Sequence, residues 1–457
     1  MLVLEGFLST PEMHRLFEAN SVVQAMMDFE AALARAQGRV GLIPTAAAQA
    51  IASLCRVELY DVPALVAGGS VSGNPAGSLV RKLAETVALF DPNAAACVHL
   101  GASSQDLVDS SMVLLTRRAL VLIEDDLLSL IASLLDQADA YPQTPLLART
   151  LMQATQVSSL RFRLLAWSMP LLRSAQALRK TADQALLLQF GGTVGTLSAL
   201  EGCADAVTEA LARELNLPAP SMCWHTQRDG VVRLGSELGI LCGSLGKLAR
   251  DLALLSQSEL GELQPSGCEA AVGKSSQRSA SAGMQAMAAS LRAPQRVAAM
   301  LACMSQEHER GLGNWQAELA ELEGLLLHTH GAVRGVRDAL AVLGFCPARM
   351  LANIEAQRGM VFADALAQLL AGVIGRQEAY QQVDLLGGRV RRGEGLLSVL
   401  ARQLIQQDAR LASAIDESTL RRVFDQGLAA QQADARVAKA CLESREALNG
   451  LLARPHW

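Results

Sequence analysis

Between residues 234 and 255, leucine recurs at Leu234, Leu238, Leu241, Leu245, Leu248, Leu252 and Leu255. Steps of four and three residues put all seven on one face of a helix packed along its length against other helices. Gly235, Gly239, Gly243 and Gly246 interleave with them. Each glycine costs a helix roughly 1 kcal/mol relative to alanine, so four together predict very close neighbouring backbones, or a bend. The rod opens at Trp224-His225-Thr226-Gln227-Arg228-Asp229, a dense set of groups that donate, accept or titrate. It is predicted to run to Glu262. A polar, small-residue segment follows, with Pro265-Ser266-Gly267 and then Gly273-Lys274-Ser275-Ser276-Gln277-Arg278-Ser279.

The rest of the composition agrees with a helical chain. At 457 residues there is room for two to four domains and a large core. Hydrophobic residues make up 51% but aromatics only 4%, a balance that favours helix over sheet. The net charge of −5, with no basic block, argues against nucleic-acid binding. An anionic substrate must therefore be held by local cations. The nine cysteines are scattered singly, without zinc-site spacing, which suits a reducing, cytoplasmic setting. The start lacks a basic leader region, and the apolar stretch 119–135 is broken by Glu124, Asp125 and Asp126. Neither a signal peptide nor a membrane span is expected.

Along the chain, Ser9-Thr10-Pro11-Glu12 has the form of a helix start. An amphipathic stretch from Val22 to Val40 ends at Gly41, a C-cap residue. Residues 68–77 read as a loop. Long rods are predicted over 110–140, 152–188, 195–215, 229–263, 280–306 and 316–344. Shorter helices follow, separated at Gly387-Gly388 and Arg392-Gly393. Three helical domains result: 1–109, 110–345 with the longest rods, and 346–457.

Four stretches concentrate polar groups between these rods. His99 to Asp106 precedes a long helix. Its hydroxyls and Gln105 fit either a carboxylate cradle at a helix N-terminus or a simple cap. Arg149 fits a bidentate carboxylate clamp or a surface arginine. His225, beside Gln227 and Arg228, fits a proton-transfer group, a carboxylate ligand or a satisfied structural histidine. Ser275 and Ser276 become proton-transfer groups only where cations such as Lys274 and Arg278 stabilise an alkoxide; otherwise the segment is a linker. His308 reads as part of a salt-bridged helix face. No phosphate-binding loop, dinucleotide fingerprint or H-E-x-x-H pair is present, so cofactor-free acid–base chemistry is the enzymatic reading.

These stretches, in this order, resemble the fumarase/aspartase superfamily, and within it the 3-carboxy-cis,cis-muconate cycloisomerase branch. Met26 to Ala34 reads MMDFEAALA, and His99 to Asp106 is similar to H-x-G-A-T-S-Q-D. Ala148-Arg149-Thr150 with Gln153 is similar to A-R-T-W-L-Q, and Phe190 to Leu197 to F-G-G-A-x-G-T-L. Trp224 to Asp229 matches W-H-T-Q-R-D, the motif most specific to that branch. The resemblance implies an all-α, three-domain fold around a long central helix bundle, a homotetramer, and active sites assembled from three subunits. It implies a small polycarboxylate substrate and a cofactor-free reaction that closes a muconate carboxylate onto its own double bond. Ser275 takes the proton-transfer position, with Ser276 next and His225 beside them. His99, Ser103, Ser104, Gln105, Arg149, Thr150, Gln153, Gln227, Arg228, Lys274 and Arg278 are the expected substrate contacts.

The departures from the family pattern are local. The superfamily loop G-S-S-x-M-P-x-K-x-N-P retains only its G-x-S-S start, and another register sets Lys274 on its lysine and Cys268 on its serine. Leu151 replaces a tryptophan, Gln156 a proline and Ser103 a threonine. A lyase acting on a succinyl-type substrate and a non-catalytic helical oligomer are the alternative readings.

Overall fold

The computed structural model describes residues 3–200, 202–265 and 283–457. Seven helices carry the architecture: α1 (Ala19–Val40), α2 (Ser104–Ala140), α3 (Leu160–Ala185), α4 (Asp229–Leu255), α5 (Met284–Ala302), α6 (Asn314–Val342) and α7 (Gln426–Leu452). Helix α4 lies among α3, α5 and α6, while α2 packs on α3 and α6. The protein is all-α, with two antiparallel strand pairs among the described residues: β1 (Pro145–Thr150) with β2 (Gln153–Ser159), and β3 (Leu263–Pro265) with β4 (Leu343–Phe345). No helix among the described residues is long and apolar enough to cross a membrane.

Local chemistry sets the helix ends. Thr10 Oγ1 accepts from the Met13 N–H at 3.2 Å, ahead of a short helix with Pro11 in its first turn. Gly41, at φ 83°, closes α1 in the left-handed conformation its sequence implies.

All seven leucines of the seam are buried, against helices of the same chain. The glycines explain how α5 comes so near. A Cβ added at Gly235 would lie 2.7 Å from Met300 Sδ, and one at Gly239 2.7 Å from Val297 Cγ2. One at Gly246 would overlap Ser290 Cβ. Gly243 meets nothing within 4 Å. Close approach, not a bend, accounts for three of the four.

Several boundaries differ from the sequence reading. Helix α4 stops at Leu255, and the chain turns through Gly261 (φ 58°) before Glu262. The rod expected over 152–188 begins instead as a hairpin, because Leu151 (φ 50°) and Met152 (φ 66°) form a tight left-handed turn. Ser159 then caps α3 by accepting from Phe162 N–H at 3.1 Å. Left-handed residues at Gly195 and Leu197 delay the next helix to Ala204–Leu215. Residues 68–72 continue the helix Val62–Ser72, which Asp61 caps, and Gly73 ends it. Gly387 and Gly388 lie inside Arg376–Arg391. His308, at φ 47°, sits in the turn between α5 and α6, not on a helix face.

One apolar core runs from Met13 to Met350 and takes in Leu448 and Leu451 of α7. Leu366 to Leu420 form a second core in the C-terminal helices.

Candidate active site

The centre of the polar cluster is Asp106, fully buried in the first turn of α2. Its Oδ2 accepts from Ser103 N–H at 2.9 Å, and Ser103 Oγ accepts in return from Asp106 N–H at 3.3 Å, a capping box. The same carboxylate also receives Gly191 N–H at 3.0 Å and Gly192 N–H at 2.9 Å. His225 Nε2 lies 2.7 Å from Oδ1, the distance of a ring N–H donated to it. Three segments far apart in sequence thus meet on one carboxylate. A Cβ at Gly191 would sit 2.9 Å from His225 Cε1 and 2.6 Å from Cys223 Cβ, so the ring packs directly beneath a backbone that only glycine permits. His225 is itself buried, and its Nδ1 has no hydrogen-bonding partner among the described residues.

His99 stands on the same junction in a left-handed conformation, φ 59°. Its Nδ1 is 2.5 Å from Oε1 of Glu30, a buried carboxylate on α1. Burial opposes a charged imidazole. The charge and hydrogen bond of Glu30, together with Asp106, outweigh that effect and move its pKa upward. The Gly191-Gly192-Thr193 turn is tied from below by Arg310, which donates to Gly192 O at 2.7 Å and Thr193 O at 3.0 Å.

Two expected substrate contacts have structural partners instead. Arg228 is 2% exposed. Its guanidinium donates to both Asp109 oxygens, at 2.8 and 3.1 Å, and is clamped by Glu318. Trp315 Nε1 adds a bond to Asp109 at 2.9 Å, and Trp224 stacks on the guanidinium at 4.7 Å. An arginine facing two carboxylates has little charge left for a third, and within this chain Arg228 acts as a strut between Asp109 and Glu318. Gln105, also buried, donates to His225 O at 2.9 Å and Asp109 at 3.2 Å, and so braces the histidine segment. Ser103 is occupied as the cap. Ser104 is partly exposed at the first helical position. Gln227 is exposed and lines a separate cleft of about 600 Å³ with Trp224, Asp229 and Arg233.

Arg149 does form a bidentate clamp, but on the chain's own Glu262, at 3.2 and 2.8 Å. Asn353 Nδ2 donates to the same carboxylate at 2.8 Å. Thr150 and Gln153 pair across the hairpin whose tip, Leu151, is 96% exposed. That hairpin follows the C-terminus of α2, whereas His99 and Ser103 precede its N-terminus. A helix of this length spans on the order of 55 Å, so one chain does not bring Arg149, Thr150 and Gln153 to the Asp106 cluster. Ser275, Ser276, Lys274 and Arg278, with Cys268, lie outside the described residues.

Residues 8–276 match the family described as Lyase. The chain belongs to the lyase family. It is 41% identical to 3-carboxy-cis,cis-muconate cycloisomerase of Pseudomonas aeruginosa, across 96% of this chain and 95% of that one. It is 37% identical to the enzyme of the same name from Pseudomonas putida, across 84% and 91%. A solved structure of 3-carboxy-cis,cis-muconate lactonizing enzyme from Pseudomonas putida superposes with a TM-score of 0.89 at 35% identity, covering 97% of this chain and 99% of that one. This lyase-family chain is therefore an enzyme of the fumarase/aspartase superfamily, with that superfamily's all-α fold.

The sequence reading of this lyase omitted the residues that organise the site. Glu30, Asp109, Glu318 and Glu262 are all buried carboxylates. Each of the first three sits within a helix face otherwise turned to the core, as Glu30 does among Met26, Met27, Phe29 and Leu33. A charge on an apolar face is the available signal, since an unpaired one would be too costly to keep.

Proposed function

We propose that this enzyme is a cycloisomerase that closes 3-carboxy-cis,cis-muconate to 4-carboxymuconolactone. One substrate carboxylate oxygen forms a bond to an alkene carbon, and a proton is delivered to the neighbouring carbon. The substrate trianion takes up that one proton and becomes a dianionic lactone, with no other atom gained or lost. The observation that carries the reading is the 41% identity to a cycloisomerase over nearly the full length of both chains. The W-H-T-Q-R-D stretch, with His225 wired to Asp106, agrees with it. The negative charge that develops next to the substrate carboxylate needs fixed donors. His99, partly exposed with a raised pKa, and Ser104 are the candidates at the α2 N-terminus.

The trianionic substrate needs more positive charge than this cluster offers, since Arg228 and Arg149 are already paired. The exposed hairpin of Thr150, Leu151 and Gln153, distant from its own chain's cluster, suits a contribution to a neighbouring copy. A homotetramer with shared sites accommodates both facts. A cytoplasmic location fits the dispersed cysteines, which are free thiols among the described residues. Ser275 stays our assignment for proton transfer, with Ser276 as its neighbour and Lys274 and Arg278 as local cations.

The test is to add 3-carboxy-cis,cis-muconate to purified protein and follow loss of diene absorbance. Turnover by the wild type is expected, and Ser275→Ala reduces it by two orders of magnitude or more. No turnover by the wild type overturns the cycloisomerase reading. Unchanged turnover in Ser275→Ala overturns only the serine assignment.

A further inference from the structure

We infer that Glu30 is a positioning residue for His99, holding its ring as a cation with Nδ1–H donated to the carboxylate and Nε2 left for substrate. The inference deepens the cycloisomerase reading and rests on it only for the identity of the anion bound. Its geometric basis is independent of that reading. Glu30 is 1% exposed on α1, inside a row of apolar side chains, where a carboxylate persists only with a partner. His99 is the one hydrogen-bonding partner it has among the described residues, at 2.5 Å, and its second oxygen has none. The arrangement is also held from the histidine's side. His99 adopts φ 59°, an uncommon backbone state for a residue other than glycine. The adjoining backbone is fixed by Gln37, whose Nε2 donates to Leu100 O at 2.7 Å. Gly101 is packed so closely on Leu200 that an added Cβ would lie 2.5 Å from its Cδ2.

Each charge around the ring has a definite effect. Glu30 on α1 and Asp106 at the start of α2 both favour the imidazolium, while burial opposes it. His225 lies beyond Asp106 and shares that carboxylate, and Arg310 is spent on the carbonyls of Gly192 and Thr193. Glu30 is the only one of these groups bonded directly to the ring. Because the folded-state pKa of His99 is raised, its charge is present at low pH and is lost as pH rises through that value. The anion-binding contribution is lost with it.

The test compares Glu30→Gln and Glu30→Asp with the wild type in the intact assembly. Protonation of His99 is read by deuterium exchange at its ring C2–H, measured by mass spectrometry across pH, without substrate. Glu30→Gln keeps size and hydrogen-bonding capacity but removes charge. It is expected to lower the His99 midpoint by about one unit, a tenfold change in proton affinity, while Glu30→Asp retains part of the shift. With 3-carboxy-cis,cis-muconate, KM of Glu30→Gln rises about tenfold at pH 7.5 and recovers towards the wild-type value at lower pH, with kcat changed less. An unmoved His99 midpoint in a folded Glu30→Gln overturns the inference. So does a KM increase of equal size at every pH, which is the mark of a merely structural role. A shifted midpoint in a wild-type protein that does not turn over the muconate keeps the dyad and overturns the proposed function instead.

Discussion

Arg228 was legible in the sequence as a cation beside a histidine, and its structural part was not. The residue lies six positions before the leucine seam in a motif that reads as a ligand set, but Asp109 and Glu318 come from 119 and 90 residues away. Burial, with Asp109 beside it, leaves the Glu318 carboxyl above its ordinary range, and Arg228 offsets only part of that. Removing the arginine leaves two buried acids without a cation. Arg228→Met is expected to cost about 3–5 kcal/mol, read as a shift in urea midpoint. The triple change Arg228→Met, Asp109→Leu, Glu318→Leu recovers much of that loss, because no charge is then left uncompensated. A single variant as stable as the wild type would contradict the strut assignment. His99 and His225 were likewise visible as titratable groups, and Glu30 and Asp106 lay within recognisable stretches, but which carboxylate orients which ring was decided only by the folded chain.

At the scale of elements, helices were legible wherever apolar spacing was regular. The rod ends were not, because they depend on backbone turns. Leu151 and Met152 have ordinary side chains with no turn propensity, yet they take left-handed φ and reverse the chain where a helix was expected. The glycines of α4 had a legible cost but an illegible purpose until α5 was in place. Gly246→Ala is expected to destabilise by about 1–3 kcal/mol, since its Cβ overlaps Ser290 and the helices must separate. Gly372→Ala, in a helix with nothing within 4 Å of the added atom, is expected to be neutral or to stabilise by up to about 1 kcal/mol. Thermal unfolding of the two variants checks the contrast. Equal effects would mean that close α4–α5 packing does not need the glycine.

At the scale of the whole molecule, the leucine seam reads as one face of a helix packed against other helices, and the chain buries it against its own α3, α5 and α6. What α4 and α5 turn outward is Ile240, Leu291 and Leu301, each more than half exposed. Exposed apolar side chains on neighbouring long helices suit burial by a second copy. Ile240→Asp is therefore expected to weaken the proposed tetramer, seen as smaller species in sedimentation velocity, while the far-ultraviolet helical signal is unchanged. A wild type that sediments as a monomer would remove the basis for shared sites. The sequence by itself determined the helical class, the existence of a long central bundle, and four polar stretches that identify the superfamily, because periodicity and motif order are properties of the linear chain. Only the tertiary structure decided which cations are free and which are already paired, and that Arg149 and His99 lie at opposite ends of one helix. Those outcomes depend on which carboxylate each group meets in space, and no local pattern along the chain encodes that meeting.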